Sequence, residues 1–541
     1  MQAPAFYRSQ NLDHLGLVAA LYDELGIGKL IDRLIPQDLE QRHVSIGQAV
    51  KAMVINGLGF TQSPLYLTPH FFENKPVERL IAPHIKAEHL NDTTLGRAVD
   101  DIFKHGVSEV FAQISMKTVK KLGLECRISH LDSSGFHTDG VYNSKDEPEE
   151  GVVQITKGYS RDHRPDLNQI GLQLICEHQA GIPLLMEPLN GNSVDKESFH
   201  NLIKNHIHQL KEDVGLEYLI ADSALYTTKI LQELADCLWI TRVPATLKLT
   251  NEMIDAIAPE LMETPDEKSV RSLCCNYAEI NQRWLVIYSP ESRQRATKTI
   301  NRQWLKQTTA LHKAFQKLCL QNFSCQEDAE KALKKFQEKE TLIEIIAEPI
   351  VKIARYKASG RPKKGQQPDS YDYQIRGSVM TLLEPRQKRI QRKSCYILAT
   401  NQLDSEQLPD AEVMELYKSQ QKVERGFRFM KDPLFMASSL FLKSPKRMMV
   451  LMMIMTLCLL LYAALEYRIR QSLQQAKKTF PNQKGHEITN PTARWVFQFF
   501  SGIHVLLLPD SQALVLNMNS HHLLLLKLLG EKYEKLYSGD G

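Results

Sequence analysis

Two aspartates sit in matching surroundings. Asp132 ends the apolar run of CRISHLDSS and Asp222 ends that of LEYLIADSA, and a serine follows each. A carboxylate placed where a buried strand meets solvent offers hard oxygen ligands at the mouth of a sheet, where a cation can be held. Taken singly, either residue reads more simply as a turn former or helix cap. A third group lies far downstream, in Tyr417-Lys-Ser-Gln420-Gln421-Lys-Val-Glu424-Arg425-Gly-Phe-Arg428-Phe-Met-Lys431. At 3.6 residues per turn, Tyr417, Gln420 or Gln421, Glu424, Arg428 and Lys431 fall on one helical face. A carboxylate framed by an aromatic ring and cations suits both metal and phosphate binding. A surface helix with i,i+4 ion pairs such as Glu424 with Arg428 explains the charges as well. It does not explain the apolar run that begins shortly afterwards at Met448.

The elements that must position these residues follow from periodicity. Residues 1–120 read as a helical N-terminal domain, with apolar residues at helical spacing in LDHLGLVAALYDELGIGKLIDRLI, SIGQAVKAMVINGLGF and TTLGRAVDDIFKHGVSEVFAQISMKTVKKL. Ser45 and Asp92 or Thr93 are the expected N-caps. Over 121–249 the period changes. The runs ending at Asp132 and Asp222 read as strands, IGLQLICEHQAGIPLLMEPL as a hairpin around Ala180-Gly181, and LWITRVP as a further strand, with helices at SVDKESFHNLIKNHIHQLKEDVG and TTKILQELADC. Strands alternating with helices make an α/β domain. Residues 250–392 break that rhythm and carry basic tracts at 355–364 and 386–393, which serve either as a solvated surface or as a phosphate-contacting face. SCYILATN then resumes the sheet, so 393–475 completes the core and 476–541 forms a C-terminal region. The interval between Asp222 and Glu424 far exceeds the roughly 2–6 residues of an ordinary strand-to-helix connection, so an insertion is required.

Composition sets limits on function. The chain has 541 residues, 67 Lys and Arg against 63 Asp and Glu, and a formal charge of +4. With 43% hydrophobic and 24% charged residues it is an ordinary globular composition, which excludes disorder, collagen and disulfide-stapled miniproteins. It also excludes a uniformly basic nucleic-acid binder. DNA contacts must come from local tracts such as 355–364, 386–393 and 422–431, offset by acidic stretches such as DEPEE. Nine scattered cysteines without metal-site spacing indicate a reducing cytoplasm, and the first residues carry no secretory signal pattern. Met448 to Leu465 runs 18 residues without a charge, about 27 Å as a helix and at the threshold of a membrane span. Its five methionines favour a buried central helix over a membrane anchor.

Together these blocks resemble the DDE transposases of bacterial insertion sequences, in the branch marked by a Tyr-x2-Arg-x3-Glu-x6-Lys signature and an insertion in the catalytic domain. Tyr417, Glu424 and Lys431 match the signature in spacing, and Gln420 occupies its arginine position. HLDSSGFH, KGYSRDHRPDLNQIGLQL, PLNGNSVD, IADSALYTTKIL and SCYILATN match further blocks, so the resemblance covers about 125 to 470. The helical front is similar to a domain that precedes the catalytic core in one subgroup. The resemblance implies an α/β fold with an RNase H-like core interrupted by an insertion domain. In that fold Asp132 lies on the first, central strand, Asp222 ends a neighbouring strand and Glu424 stands on a later helix. It implies that these three residues are catalytic and hold two Mg2+ ions about 3.5–4 Å apart, with Mn2+ an acceptable substitute. Tyr417, Gln420, Arg428 and Lys431 are then the DNA-binding residues, while Arg161, His163, Arg164 and Asp166 recur as a block that serves DNA contact or loop structure. The implied activity is cleavage and strand transfer of insertion-sequence ends into target DNA, by a homodimer in the synaptic complex, in the bacterial cytoplasm and without a membrane. An RNase H-like nuclease that never joins strands and a catalytically inactive DNA-binding derivative are the competing readings.

Overall fold

The computed structural model describes residues 7–38, 40, 42–60, 67–138, 142, 149–158, 164–263, 269–339, 342–357, 360–432, 435, 444–508 and 512–539. The chain divides into two compact units, residues 1–241 with 411–541, and residues 242–410.

The first unit opens with helices, among them α1 (Ile46–Leu58), α2 (Asp92–His105) and α3 (Val107–Leu122). Ser45 caps α1 in a capping box: its hydroxyl accepts from the Gln48 N–H, and the Gln48 side chain accepts from the Ser45 N–H. The cap of α2 is Asn91 rather than Asp92 or Thr93. Its Oδ1 accepts from the Thr94 N–H at 3.0 Å, and Asp92 sits in the first turn, where its charge suits the helix dipole. The region is not wholly helical. Arg8–Asn11 forms a strand paired with His504–Leu507, a pairing that four polar residues give no periodicity to reveal.

The sheet that carries the aspartates follows. Its strands β1 (Ile128–Thr138), β2 (Asn168–Glu177), β3 (Pro183–Asn190), β4 (Tyr218–Ala221) and β5 (Leu238–Arg242) stand in the order β3-β2-β1-β4-β5, with α4 (Asp195–Val214) between β3 and β4 in the chain. The pairs β1–β2 and β2–β3 are antiparallel; β1–β4 and β4–β5 are parallel. All four residues of β4 are buried, as befits a parallel strand covered on both faces. The β2–β3 hairpin turns where expected, with Gly181 at φ 77°.

The second unit contains α5 (Lys248–Leu261), β6 (Val270–Tyr277), β7 (Ile280–Tyr288), α6 (Pro290–Cys319), α7 (Leu383–Ser394) and β8 (Cys395–Thr400). β7 is antiparallel to both β6 and β8. A smaller core around Phe315, Ala329 and Ile375 lies beside two short β ladders. The basic tract 386–393 forms most of α7, and its cations are largely engaged. Arg386 donates to Asn301, Arg389 to Gln307, and Arg392 and Lys388 both pair with Asp255. These bonds lace α7 to α5 and α6, while Lys388, Arg389, Arg392 and Lys393 remain exposed.

The first unit resumes with α8 (Asp410–Lys418), α9 (Gln421–Met430) and α10 (Pro445–Gln475). α10 meets the length and hydropathy criteria of a membrane span, yet 89% of its most apolar window is buried inside the protein. It packs against α1, α2, α3, β3 and α9, which is how a helix apolar on every side is accommodated in a protein interior. Arg447, near its start, forms a bidentate pair with Asp100 of α2 at 2.8 Å and holds that carboxyl below its ordinary range.

Candidate active site

Parallel pairing of β1 with β4 aligns Leu131 with Ala221. The next residues, Asp132 and Asp222, therefore each follow the last paired position on two neighbouring strands. Asp132 is 8% exposed, and its Oδ1 accepts from the Ser133 N–H at 2.8 Å. Asp222 is half-buried just past the end of β4. Its Oδ1 accepts from the Ala224 N–H at 2.9 Å, an Asx turn that ends the strand, and its carbonyl oxygen accepts from the buried Thr241 hydroxyl at 2.7 Å. The structural role open to any strand-ending aspartate is thus filled at Asp222, at the same place where a ligand would be offered.

Glu424 stands on α9, which packs against β1. With Asp132, Ser133, Ser134, Phe427, Arg428, Lys431 and Asp432 it lines a cavity of about 470 Å3. Four of the predicted site residues, Asp132, Glu424, Arg428 and Lys431, therefore meet. Asp222 adjoins Asp132 through the strand register and is not among the cavity's described lining residues. The Lys431 ammonium lies 5.5 Å from the centre of the Phe136 ring, whose face attracts it and keeps the charge at the cavity wall.

The single helical face expected from Tyr417 to Lys431 is interrupted. α8 ends at Lys418 and α9 starts at Gln421. Between them the Gln420 N–H bonds the Tyr417 carbonyl at 3.2 Å, a tight i to i−3 turn, and the Ser419 hydroxyl donates to the Leu416 carbonyl at 2.6 Å. Tyr417 is half-buried on α8 and Gln420 is 6% exposed at the N-cap of α9. Neither is among the described lining residues of the cavity. With no Gly or Pro in KSQQ, spacing alone gave no sign of the break.

That break is fastened to β1 by polar contacts absent from the sequence reading. His130 precedes Asp132 by two residues and so shares its face of β1. Its Nε2 lies 3.0 Å from His178 Nδ1 and 3.2 Å from Ser419 Oγ, and Ser419 Oγ is 3.2 Å from His178 Nδ1. Burial pushes the His130 imidazole down to about 3, with His178 and Lys422 acting in the same direction, so the ring is neutral. Lys422 donates to the His178 carbonyl. Nearby, the buried Glu177 carboxylate accepts from the N–H groups of Gln179, Ala180 and Ile182 at 2.6, 2.8 and 2.8 Å. The strand bearing Asp132 and the turn preceding Glu424 are thereby held together.

Two further acids flank the site. The Ser133 hydroxyl donates to Asp195 at the start of α4 at 2.7 Å, and Asp432, inside the cavity, pairs with Arg494. Asp195 closes the PLNGNSVD block and Asp432 follows Lys431, so both were visible as residues; their neighbours were not. Arg164 and Asp166 pair with each other on an exposed turn, where Arg164 holds the Asp166 carboxyl down to about 2. Arg161 and His163 lie outside the described residues.

Asp132, Asp222 and Glu424 present only oxygen donors, the set a hard divalent cation prefers. Among the described residues no three His, Cys, Asp or Glu side chains already stand together as a ligand group.

Comparison with known proteins adds the family. A model of the transposase DDE domain matches residues 127–461, and a model of a domain of unknown function, DUF4277, matches residues 7–116. None of the curated proteins compared with the chain matches it. Among solved structures, it is similar to a chain of the piggyBac transposase synaptic complex with hairpin DNA, at 8% sequence identity and a TM-score of 0.38, over 91% of this chain and 81% of that one. Matched over more than half its length by the first of these models, the chain belongs to the transposase DDE domain family.

Proposed function

We propose that this protein is an insertion-sequence transposase that binds the ends of its element and carries out Mg2+-dependent strand cleavage and strand transfer. The observation that carries the reading is the meeting of Asp132 with Glu424, Arg428 and Lys431 in one cavity, with Asp222 beside Asp132 in the parallel register. The strand order β3-β2-β1-β4-β5, with Asp132 on its middle strand, supports an RNase H-like core. Asp132, Asp222 and Glu424 would hold Mg2+, or Mn2+ in its place. When bound, the metal supplies charge stabilisation and activation of a water or 3′-hydroxyl for in-line displacement at phosphorus.

The chain's own residues supply the rest. Arg428 and Lys431 pair with phosphate oxygens and set the strand's position, Lys431 being steadied by Phe136. The contacts among His130, His178 and Ser419 fix the start of α9 against β1, and Glu424 stands exposed in the cavity it lines with Asp132. DNA ends and target DNA are the partners, and two copies of the chain hold the two ends in the synaptic complex. The proposed setting is the bacterial cytoplasm, in keeping with nine scattered cysteines without metal-site spacing.

The reaction is tested with a precut duplex carrying a terminal repeat and a free 3′-hydroxyl. Incubation with Mg2+ and a target plasmid is expected to yield joined product. Cleavage of uncut ends without any joining would instead assign the protein as a nuclease of the same chemistry.

A further inference from the structure

We infer that a second, cationic groove, between α9 and α10, carries the DNA strand as it leaves the catalytic cavity. This inference rests on the transposase reading and adds a binding site to it. The groove has a volume of about 690 Å3 and shares the lining residues Arg428 and Asp432 with the catalytic cavity, so the two adjoin. Its floor is apolar, where Gly426 of α9 meets Leu459 of α10, and its walls bear Lys422, Arg425 and Arg428 from α9 and Arg470 and Arg494 opposite.

The charges of these walls do not cancel. Arg470 is paired with Glu466, and Arg494 with Asp432. Those are the groove's only described acids. Arg425 and Arg428 are exposed and have no ion-pair partner among the described residues, while Lys422 donates to the carbonyl oxygen of His178 and lies within the field of the Glu177 and Glu415 carboxylates. Arg425 and Arg428 are thus left without protein counter-charge on one helix, and Lys422 continues the row. At 1.5 Å per residue the row from Lys422 to Arg428 is about 9 Å long. Phosphates on one strand of B-DNA recur every 3.4 Å of axis, so the row spans roughly three of them. A strand whose scissile phosphate lies between Asp132 and Glu424 must pass Arg428 to leave, and Arg425 and Lys422 continue the track. The polyanion supplies what the groove lacks, and the ion-paired opposite wall limits how far the strand can spread.

The test uses the full-length protein and terminal-repeat duplexes bearing one neutral methylphosphonate at successive positions from the cleaved phosphate. Binding is followed by fluorescence anisotropy across a salt series. The wild type is expected to lose affinity when a phosphate within about three positions of the cleavage site is neutralised. Arg425→Ala is expected to bind the unmodified duplex about eightfold more weakly at 0.1 M salt and to lower the salt slope by about 0.9, the share of one phosphate. It should also be indifferent to one of those methylphosphonates, while Arg425→Lys keeps the wild-type slope. Wild-type affinity and slope in Arg425→Ala, or a loss of affinity with the slope unchanged, would overturn the groove assignment. Either result leaves the transposase reading standing so long as the wild-type protein cleaves; absence of metal-dependent cleavage by the wild type refutes that reading instead.

Discussion

Gly426 lies in α9 two residues after Glu424 and two before Arg428, and a Cβ added there would stand 3.0 Å from Cδ2 of Leu459 on α10. Carbon atoms pack best at about 3.5–4.0 Å, so an alanine requires Leu459 to yield by roughly half an ångström. Glycine inside a helix costs about 1 kcal/mol relative to alanine. The two effects oppose each other, and Gly426→Ala should leave stability within about 1 kcal/mol of wild type. Gly426→Leu is different, because Leu459 is 5% exposed and already fills the space. Overpacking of that kind costs about 1–3 kcal/mol and is relieved by displacing α9 from α10, which shifts Glu424 relative to Asp132. Leu459→Ala alone should cost about 2–5 kcal/mol by leaving a cavity. In the double variant each change compensates for the other, and a coupling of about 1–3 kcal/mol is expected. Denaturant unfolding measures the coupling, and Mg2+-dependent end cleavage by all four proteins measures the displacement. Wild-type cleavage by Gly426→Leu, or purely additive losses in the double variant, would refute the claim that α10 positions Glu424 through this contact.

Two other outcomes follow from the packing. His14 is buried, its Nε2–H donates to the Leu58 carbonyl at 2.8 Å, and burial lowers its pKa below the usual 6.5. The unfolded chain therefore takes up this proton more readily than the folded one, so the stability is present above pH 6.5 and is lost as pH falls below it, by up to ~1.4 kcal/mol per pH unit. Denaturation midpoints at pH 7 and pH 5 should diverge less in His14→Gln than in wild type; equal divergence would contradict the assignment. Leu457, fully buried at 0% exposure in α10, should cost about 2–5 kcal/mol when changed to alanine, read by denaturation in detergent-free buffer. An unchanged midpoint would mean that α10 is not part of the core.

Much of this arrangement is legible in the chain itself. Asp132 and Asp222 could be singled out because a buried strand ending in an acidic residue is a local pattern, and the β2–β3 hairpin because Gly181 marks its turn. The burial of α10 follows from apolar residues on every face. What escaped was set by contacts distant in sequence. The turn at Ser419 and Gln420 contains no helix breaker; it is held by His130 and His178, more than two hundred residues upstream. For that reason Tyr417 and Gln420, which helical spacing places beside Glu424, stand apart from the cavity. The basic tract 386–393 reads equally as a solvated surface or a phosphate-contacting face, and its partners Asp255, Asn301 and Gln307 were not visible in the chain. The row of Lys422, Arg425 and Arg428 shows the reverse: cations in an ordinary-looking helix become a candidate phosphate track because α10 provides a wall opposite them.

The central claim is that Asp132, Asp222 and Glu424 act as one metal-holding set. Cleavage of a terminal-repeat duplex in Mg2+ by Asp132→Ala, Asp222→Ala and Glu424→Ala, with DNA binding measured in parallel, tests it most directly. All three variants should bind the duplex and fail to cut it; cleavage at the wild-type rate by any one of them would contradict the account.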